Sequence, residues 1–263
     1  MLTFPARGSP DRRIRTAALD SLRTFLPAQA AAKLSPLDLL KLWKGLFVSL
    51  WMCDRPVPQQ NLCADLAGLI EILPRDAVVP WLRGFWATMA REWTTGIDVH
   101  RMNKFLLLVR RVLEKSLRWM RRGGQEKKGD VWDAQRTDQI LGLLEEWPFA
   151  GEDEVPRDTA GDPYTVPSGL RIHILDIWVD EAEKAGLLEE DDEQAKDIMG
   201  RISALVDALE RNTTSTAVRI RAKESLEDDR LPGNQGKSKG EDDSDEEMVA
   251  GDEDKGSWDG FDD

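Results

Sequence analysis

The sequence predicts an all-α protein, an irregular HEAT-like stack of antiparallel helical hairpins followed by a disordered acidic C-terminal tail. Three observations lead there. Apolar residues recur at three- and four-residue spacing through most of the chain up to Asn212, the period of a helix with one face turned inward. Proline or glycine punctuates those segments, leaving mostly short turns between successive helices. No stretch alternates apolar and polar residues with the period of a strand. Short turns make consecutive helices antiparallel, and such hairpins bury their apolar faces by stacking. No exact repeat accompanies the spacing, so the stack is expected to be irregular. The predicted divisions are an N-terminal arm (1–10), a helical solenoid domain (11–212) with a Pro-rich internal loop (148–167), and the tail (213–263).

The arm carries Pro and Gly without periodicity. From Asp11 onward Ile14, Ala18, Leu22 and Phe25 mark a helix closed by Pro27, with Arg12, Arg13, Arg15 and Arg23 around it. Ser35 and Pro36 then open a second helix, a capping hydroxyl followed by a proline suited to the first turn. Its Trp43, Phe47 and Trp51 share one face, and Leu39, Leu42, Leu46 and Cys53 share the next. Lys41 and Lys44 leave only a narrow polar strip, so this helix is expected at the centre of the stack. Gly45 lowers helix propensity by about 1 kcal/mol against Ala, which predicts a close approach to the backbone there. Asp54-Arg55-Pro56 ends the helix, because proline disfavours helical geometry in the residue before it. A third segment follows with Leu62, Leu66, Leu69 and Leu73 inside, ended by Pro74. Asp76 caps a fourth, with Val79, Leu82, Phe85 or Trp86, Met89 and Trp93 inward, which Gly96 breaks.

Asp98 caps the next and longest helix, running to about Arg122. Met102, Phe105, Leu106, Val109, Val112, Leu113 and Met120 form its predicted apolar side. Arg101, Lys104, Leu108, Arg111, Lys115, Arg118 and Arg122 fall in one stripe opposite, flanked by Arg110 and Arg121, with Glu114 alone supplying an acid. A row of five or six cations over about 30 Å of helix can follow a phosphate backbone or an acidic protein surface. Lys127 and Lys128 extend it into the Gly123–Gly129 loop. The candidate RNA- or partner-binding residues are therefore Arg101, Lys104, Arg110, Arg111, Lys115, Arg118, Arg121, Arg122, Lys127 and Lys128. Three more helices complete the body. One carries Trp132, Ile140, Leu141, Leu144 and Trp147; one opens at Gly169–Trp178; the last runs from about Asp191 to Arg211.

Charge is distributed unevenly along the chain. Net charge is -13, yet residues 1–128 hold 22 basic and 11 acidic groups (+11) and residues 129–263 hold 14 and 38 (-24). The first half suits a polyanion that the second would repel. Within the tail, Glu241 to Glu247 is an acidic block that cannot bury enough apolar surface to fold alone. Ser244 inside it resembles an acidophilic kinase site, and Trp258 with Phe261 offers a short docking motif.

Catalytic chemistry finds little support. His100 and His173 lie far apart, each beside large apolar residues, and fit capping or core roles. P-loop, GxGxxG, HExxH and GxSxG patterns are absent. Asp176 and Asp180 share a helical face and could hold a metal in principle, but nothing else converges on them. Neither a metal nor a cofactor is expected, and the protein is expected not to be an enzyme. Cys53 and Cys63 follow no signal peptide and no zinc-type pairing, which predicts free thiols in a reducing compartment. Apolar runs fall short of the ~18 residues needed to span a membrane.

Three blocks carry a family resemblance. Lys41 to Pro56 (KLWKGLFVSLWMCDRP) resembles the hallmark of the ribosomal RNA-processing protein 1 family of eukaryotic nucleolar proteins. Phe85 to Trp93 (FWATMAREW), with Gly96-Ile97-Asp98 and Lys104-Phe105, is a second block, and Pro167 to Asp180 with its Gly-Leu-Arg-Ile-His core is a third. Order and spacing agree from about residue 10 to 212. The resemblance implies a non-catalytic assembly factor of the pre-60S particle, needed for processing of the large-subunit rRNA precursor in the nucleolus. It implies pre-ribosomal RNA, a Brix-domain factor, that factor's small zinc-binding partner and a WD-repeat factor as neighbours. Compared with longer animal members, this chain is expected to end soon after the domain. Trp43, Leu46, Phe47, Trp51, Phe85, Trp86 and Trp93 are expected in the core rather than at a binding site. A protein-only adaptor, whose basic helix docks an acidic partner, is the competing expectation.

Overall fold

The computed structural model describes residues 12–27, 34–122, 131–151, 165–189 and 191–234. The predicted arm, Lys127 and Lys128, most of the Pro-rich loop and the acidic block lie outside those residues. The helices are α1 (Arg12–Phe25), α2 (Pro36–Trp51), α3 (Pro56–Gly68), α4 (Arg75–Glu92), α5 (Met102–Trp119), α6 (Ala134–Glu146), α7 (Ser168–Lys184), α8 (Glu193–Asn212) and α9 (Thr216–Leu226). A 3-10 turn, Leu69–Ile72, follows α3. Two-residue strands β1 (Arg121–Arg122) and β2 (Val131–Trp132) pair antiparallel on either side of the basic loop.

Most helices pack on the one two places along, and α8 packs chiefly on its neighbour α9. α2 lies on α4, α4 on α6 and α6 on α8; α3 lies on α5, α5 on α7 and α7 on α9. Those two successions of contacts sort even- and odd-numbered helices into two layers. The predicted all-α helical stack is what the structure shows. Caps fall where the side chains allow them. Ser35 Oγ accepts from Asp38 N (3.2 Å), Asp133 Oδ1 from Arg136 N (3.0 Å) and Asp192 Oδ1 from Gln194 N and Ala195 N (3.0 Å each).

The core runs through both layers. α4, rather than α2, is the most enclosed helix, with an almost unbroken buried run from Trp81 to Ala90 interrupted at Arg83. Trp43 of α2 sits on Trp81 (4.8 Å between rings) and Phe85 (5.0 Å), and its Nε1 donates to Trp81 O (2.9 Å). Phe47 stacks on Phe105 (4.6 Å), joining the layers. Gly84 makes room for this packing, since a Cβ there would meet Trp43 Cδ1 at 3.1 Å. Gly45 does the opposite of what its composition predicted: nothing lies within 4 Å of the position its Cβ would take. Cys53 and Cys63 are buried free thiols, and burial pushes Cys63 up to about 12.

Helical structure also continues past Asn212, where the periodic pattern fades. Ser215 caps α9 (Val218 N to Oγ, 3.5 Å), which buries Val218 and Ala222 against α7 and α8. Leu231 is buried beyond it. Two small inward residues in an otherwise polar helix make too weak a pattern to read from sequence.

Candidate nucleic-acid interface

α5 is the middle helix of the odd layer, flanked by α3 and α7. Flanking on two sides buries far more of it than one stripe. Lys104, Leu108, Glu114, Ser116 and Leu117 are buried beside the expected Phe105, Val109, Val112 and Leu113. The seven-residue stripe is therefore interrupted at its second and third members, and only its C-terminal part faces solvent.

Lys104 is a structural cation, only 4% exposed. Its Nζ donates to Trp51 O (2.8 Å) and Cys53 O (2.9 Å), satisfying carbonyls left open at the end of α2, and lies 3.6 Å from Asp54. Burial holds its pKa below the usual lysine value, partly opposed by Asp54. Arg101 is half-buried. It lies over the Trp51 ring (4.0 Å) and pairs with Asp98 (2.5 Å) and Asp54 (3.9 Å). Arg110 crosses to α7, where it meets Asp180 and the 1%-exposed Glu181 (2.5 Å each). Arg121 lies over Trp132 (4.4 Å) and donates to Gly186 O (2.9 Å) and Glu189 (3.1 Å). These four join elements of the fold.

The remaining described candidates form an outer row. Arg111 and Arg118 have side chains 48% and 52% exposed, and both reach the single carboxylate of Glu114, at 3.8 and 3.0 Å. Arg118 also donates to Lys184 O (2.9 Å). Lys115 is half-buried and pairs with Glu71 (2.5 Å). Arg122 is exposed, with no ion pair to any described residue. Arg111, Lys115 and Arg118 follow 4-3 spacing on α5, which ends at Trp119 short of the expected Arg122. Exposed Arg122 follows in β1, so four cations face outward against two acids. Arg136 sits at the end of this row, its guanidinium 4.9 Å from the Trp119 ring and bonded to the carbonyls of Trp119 (3.3 Å) and Arg121 (3.1 Å). Sequence spacing had no means of finding it, because α5 and α6 are joined by the 123–130 loop.

The acids that neutralise the inner cations were equally invisible. Glu71, Asp180, Glu181 and Glu189 lie dozens of residues from the arginines and lysine they meet. Asp180, considered above as half of a metal pair, accepts Arg110 on one oxygen and Arg230 on the other, and Asp176 pairs with Arg221 (3.1 Å). Among the described residues no group of three or more His, Cys, Asp or Glu could hold a metal, and no helix is long and apolar enough to cross a membrane.

The three family blocks meet one another in the core. The first supplies Trp43 and Phe47, and the second packs Phe85 and Trp86 around them. The third brings His173 beneath Trp93 (6.4 Å between rings) and its Nε2 to Leu106 O (3.0 Å). Gly169 admits the Trp93 indole, since a Cβ would stand 3.1 Å from its Nε1. Those blocks build architecture and do not line the outer row.

Comparison with known proteins agrees with that architecture. The family model described as nucleolar protein Nop52 matches residues 8–260. Ribosomal RNA processing protein 1 homolog A of Mus musculus is 35% identical over 179 residues, covering 66% of this chain and 32% of the mouse protein. The human homologs A and B are 34% and 31% identical over 66% and 68% of this chain, and 35% and 22% of their own lengths. The chain thus spans about a third or less of these relatives.

Proposed function

This chain belongs to the Nop52 family of nucleolar proteins, and on that premise we propose that it is a non-catalytic scaffold in nucleolar pre-60S particles, required for processing of the large-subunit rRNA precursor. Relatives named for ribosomal RNA processing support the biological setting. The observation that carries the molecular reading is the outer row of α5, where Arg111, Lys115, Arg118 and Arg122 face solvent with only Glu114 and Glu71 against them. Phosphates of pre-ribosomal RNA fit such a row. Lys127 and Lys128, in the adjacent loop, extend it in sequence. Phosphate contacts position a scaffold without reading bases, so binding should be steeply salt-dependent and nearly indifferent to sequence. Protein neighbours in this reading are a Brix-domain factor, its small zinc-binding partner and a WD-repeat factor.

Fluorescence anisotropy with a labelled single-stranded RNA tests the row. Arg111→Glu, Lys115→Glu and Arg118→Glu together should weaken binding at least about tenfold at low salt, with helical content unchanged by circular dichroism. Unchanged affinity would remove α5 from the reading.

A protein-only adaptor has one observation in its favour. Lys104, Arg110 and Arg121 are spent on internal contacts, and the four cations left would suffice for an acidic protein surface. Association with a purified Brix-domain partner that survives nuclease, without any RNA binding, would select it.

A further inference from the structure

The C-terminal turn of α7 is shared between α5 and the segment that follows α9. Asp180 bridges Arg110 (2.5 Å) and Arg230 (3.0 Å), Glu183 accepts Arg230 Nη1 (2.7 Å), and Lys184 O accepts Arg118 (2.9 Å). Asn234, the last described residue, is tied to the same corner by Nδ2 bonds to Leu226 O (2.6 Å) and Asp228 O (3.0 Å). The chain therefore leaves the helical body one helix away from the outer row of α5. Cations at that exit are already matched by acids, Arg230 by Asp180, Glu183 and Asp228, Arg221 by Asp176 and Glu224, and Lys223 by Glu227. Arg111, Lys115, Arg118 and Arg122, one helix over, face only Glu114 and Glu71.

A short linker with Lys237 and Lys239 leads into an acidic block. Six of the seven residues from Glu241 to Glu247 are Asp or Glu, and the block starts seven residues beyond Asn234. Seven residues reach at most ~25 Å, and packed helices lie only about 8–10 Å apart. The linker is long enough, and tethering holds the block at about millimolar effective concentration near the row. Each exposed ion pair contributes about 0–1 kcal/mol and is screened by salt, so the contact is reversible.

We infer that the acidic segment 241–247 docks on the outer cation row of α5 and competes there with RNA. Only the competition rests on the proposed function; the docking stands on charge and reach. A long polyanion displaces the segment, whereas a short one fails to, which makes the tail a filter on what the row accepts.

Two measurements on the full chain separate the parts. The first is zero-length carbodiimide crosslinking without RNA, in a chain carrying Glu71→Gln to remove the competing Lys115–Glu71 pair (2.5 Å). It should join Lys115 to a carboxylate in 241–247 at low salt, and fail to do so at high salt. The Lys44–Glu92 pair (2.7 Å) serves as the internal control. A control crosslink with none from the segment to Lys115 would overturn the docking. A second chain carries Glu241→Gln, Asp242→Asn, Asp243→Asn, Asp245→Asn, Glu246→Gln and Glu247→Gln. It should bind a fluorescein-labelled uridine 20-mer about fivefold more tightly than the parent at low salt. Adding Arg111→Ser, Arg118→Ser and Arg122→Ser to both chains should abolish the difference. Equal affinity of the two chains would overturn the competition. A Lys115 crosslink with no RNA binding by either chain would uphold the docking and refute the RNA reading.

Discussion

A buried ammonium is tolerated where oxygens replace its water, and at Lys104 they are the carbonyls of Trp51 and Cys53. Lys104→Met should therefore destabilise the protein by about 1–3 kcal/mol, measured by urea unfolding, while leaving RNA affinity unchanged. His173 supplies a pH test. Burial keeps its imidazole below the ordinary value of 6.5, outweighing the bond to Leu106 O. The unfolded chain then binds a proton that the folded form resists. This contribution to stability is complete above pH 6.5 and is lost as pH falls from 6.5 toward the folded-state value. Replacing it, His173→Gln, should flatten the fall in melting temperature between pH 7 and 5.5. The core role expected of His173 holds, but a residue's place on a helical wheel did not foretell that of Lys104. Lys104 shares a face with Arg111 in sequence, but its oxygens come from a turn some fifty residues earlier, and spacing carries no record of such partners.

Helices were legible where burial is strong and one-sided. Ser35-Pro36 and the Ile198–Leu209 stripe of α8 announce their elements, because caps and periodicity are local. α5 was legible as a helix but not in its surroundings. A helix flanked on two sides buries residues that a single-stripe reading assigns to solvent, hence Leu108 and Glu114. The end of α7 shows what holds neighbouring elements in register. Gly186 takes a positive φ of 82° as the chain turns out of α7, with Leu187 N bonded to Ala182 O (2.9 Å) and Gly186 N to Glu183 O (2.9 Å). A Cβ at Gly186 would also press on Arg121 Nη2 at 2.5 Å. Gly186→Ala should cost at least about 1 kcal/mol, read from chemical unfolding, and should loosen the β1–β2 corner in hydrogen exchange. Trp43→Ala removes a fully enclosed ring that touches Trp81 and Phe85, and should cost about 3–5 kcal/mol.

At the scale of the molecule, stacking most helices on the one two places along carries sequence order into spatial order. The outer row of α5 lies in the basic first half of the chain. α5 carries five cations against one acid and α8 three against four, so a polyanion is expected to favour α5 over α8. Four phosphate contacts to a single strand predict a slope of roughly -3 in log affinity against log salt. Arg111→Ser with Arg118→Ser should reduce it to roughly half. Protein–RNA crosslinking in cells, with peptide-level mapping of the modified residues, tests the central claim most directly. Crosslinks concentrated between Arg111 and Lys128 are the result expected of a scaffold that holds rRNA through α5. A map empty across that interval, from protein still co-sedimenting with pre-60S particles, would contradict it.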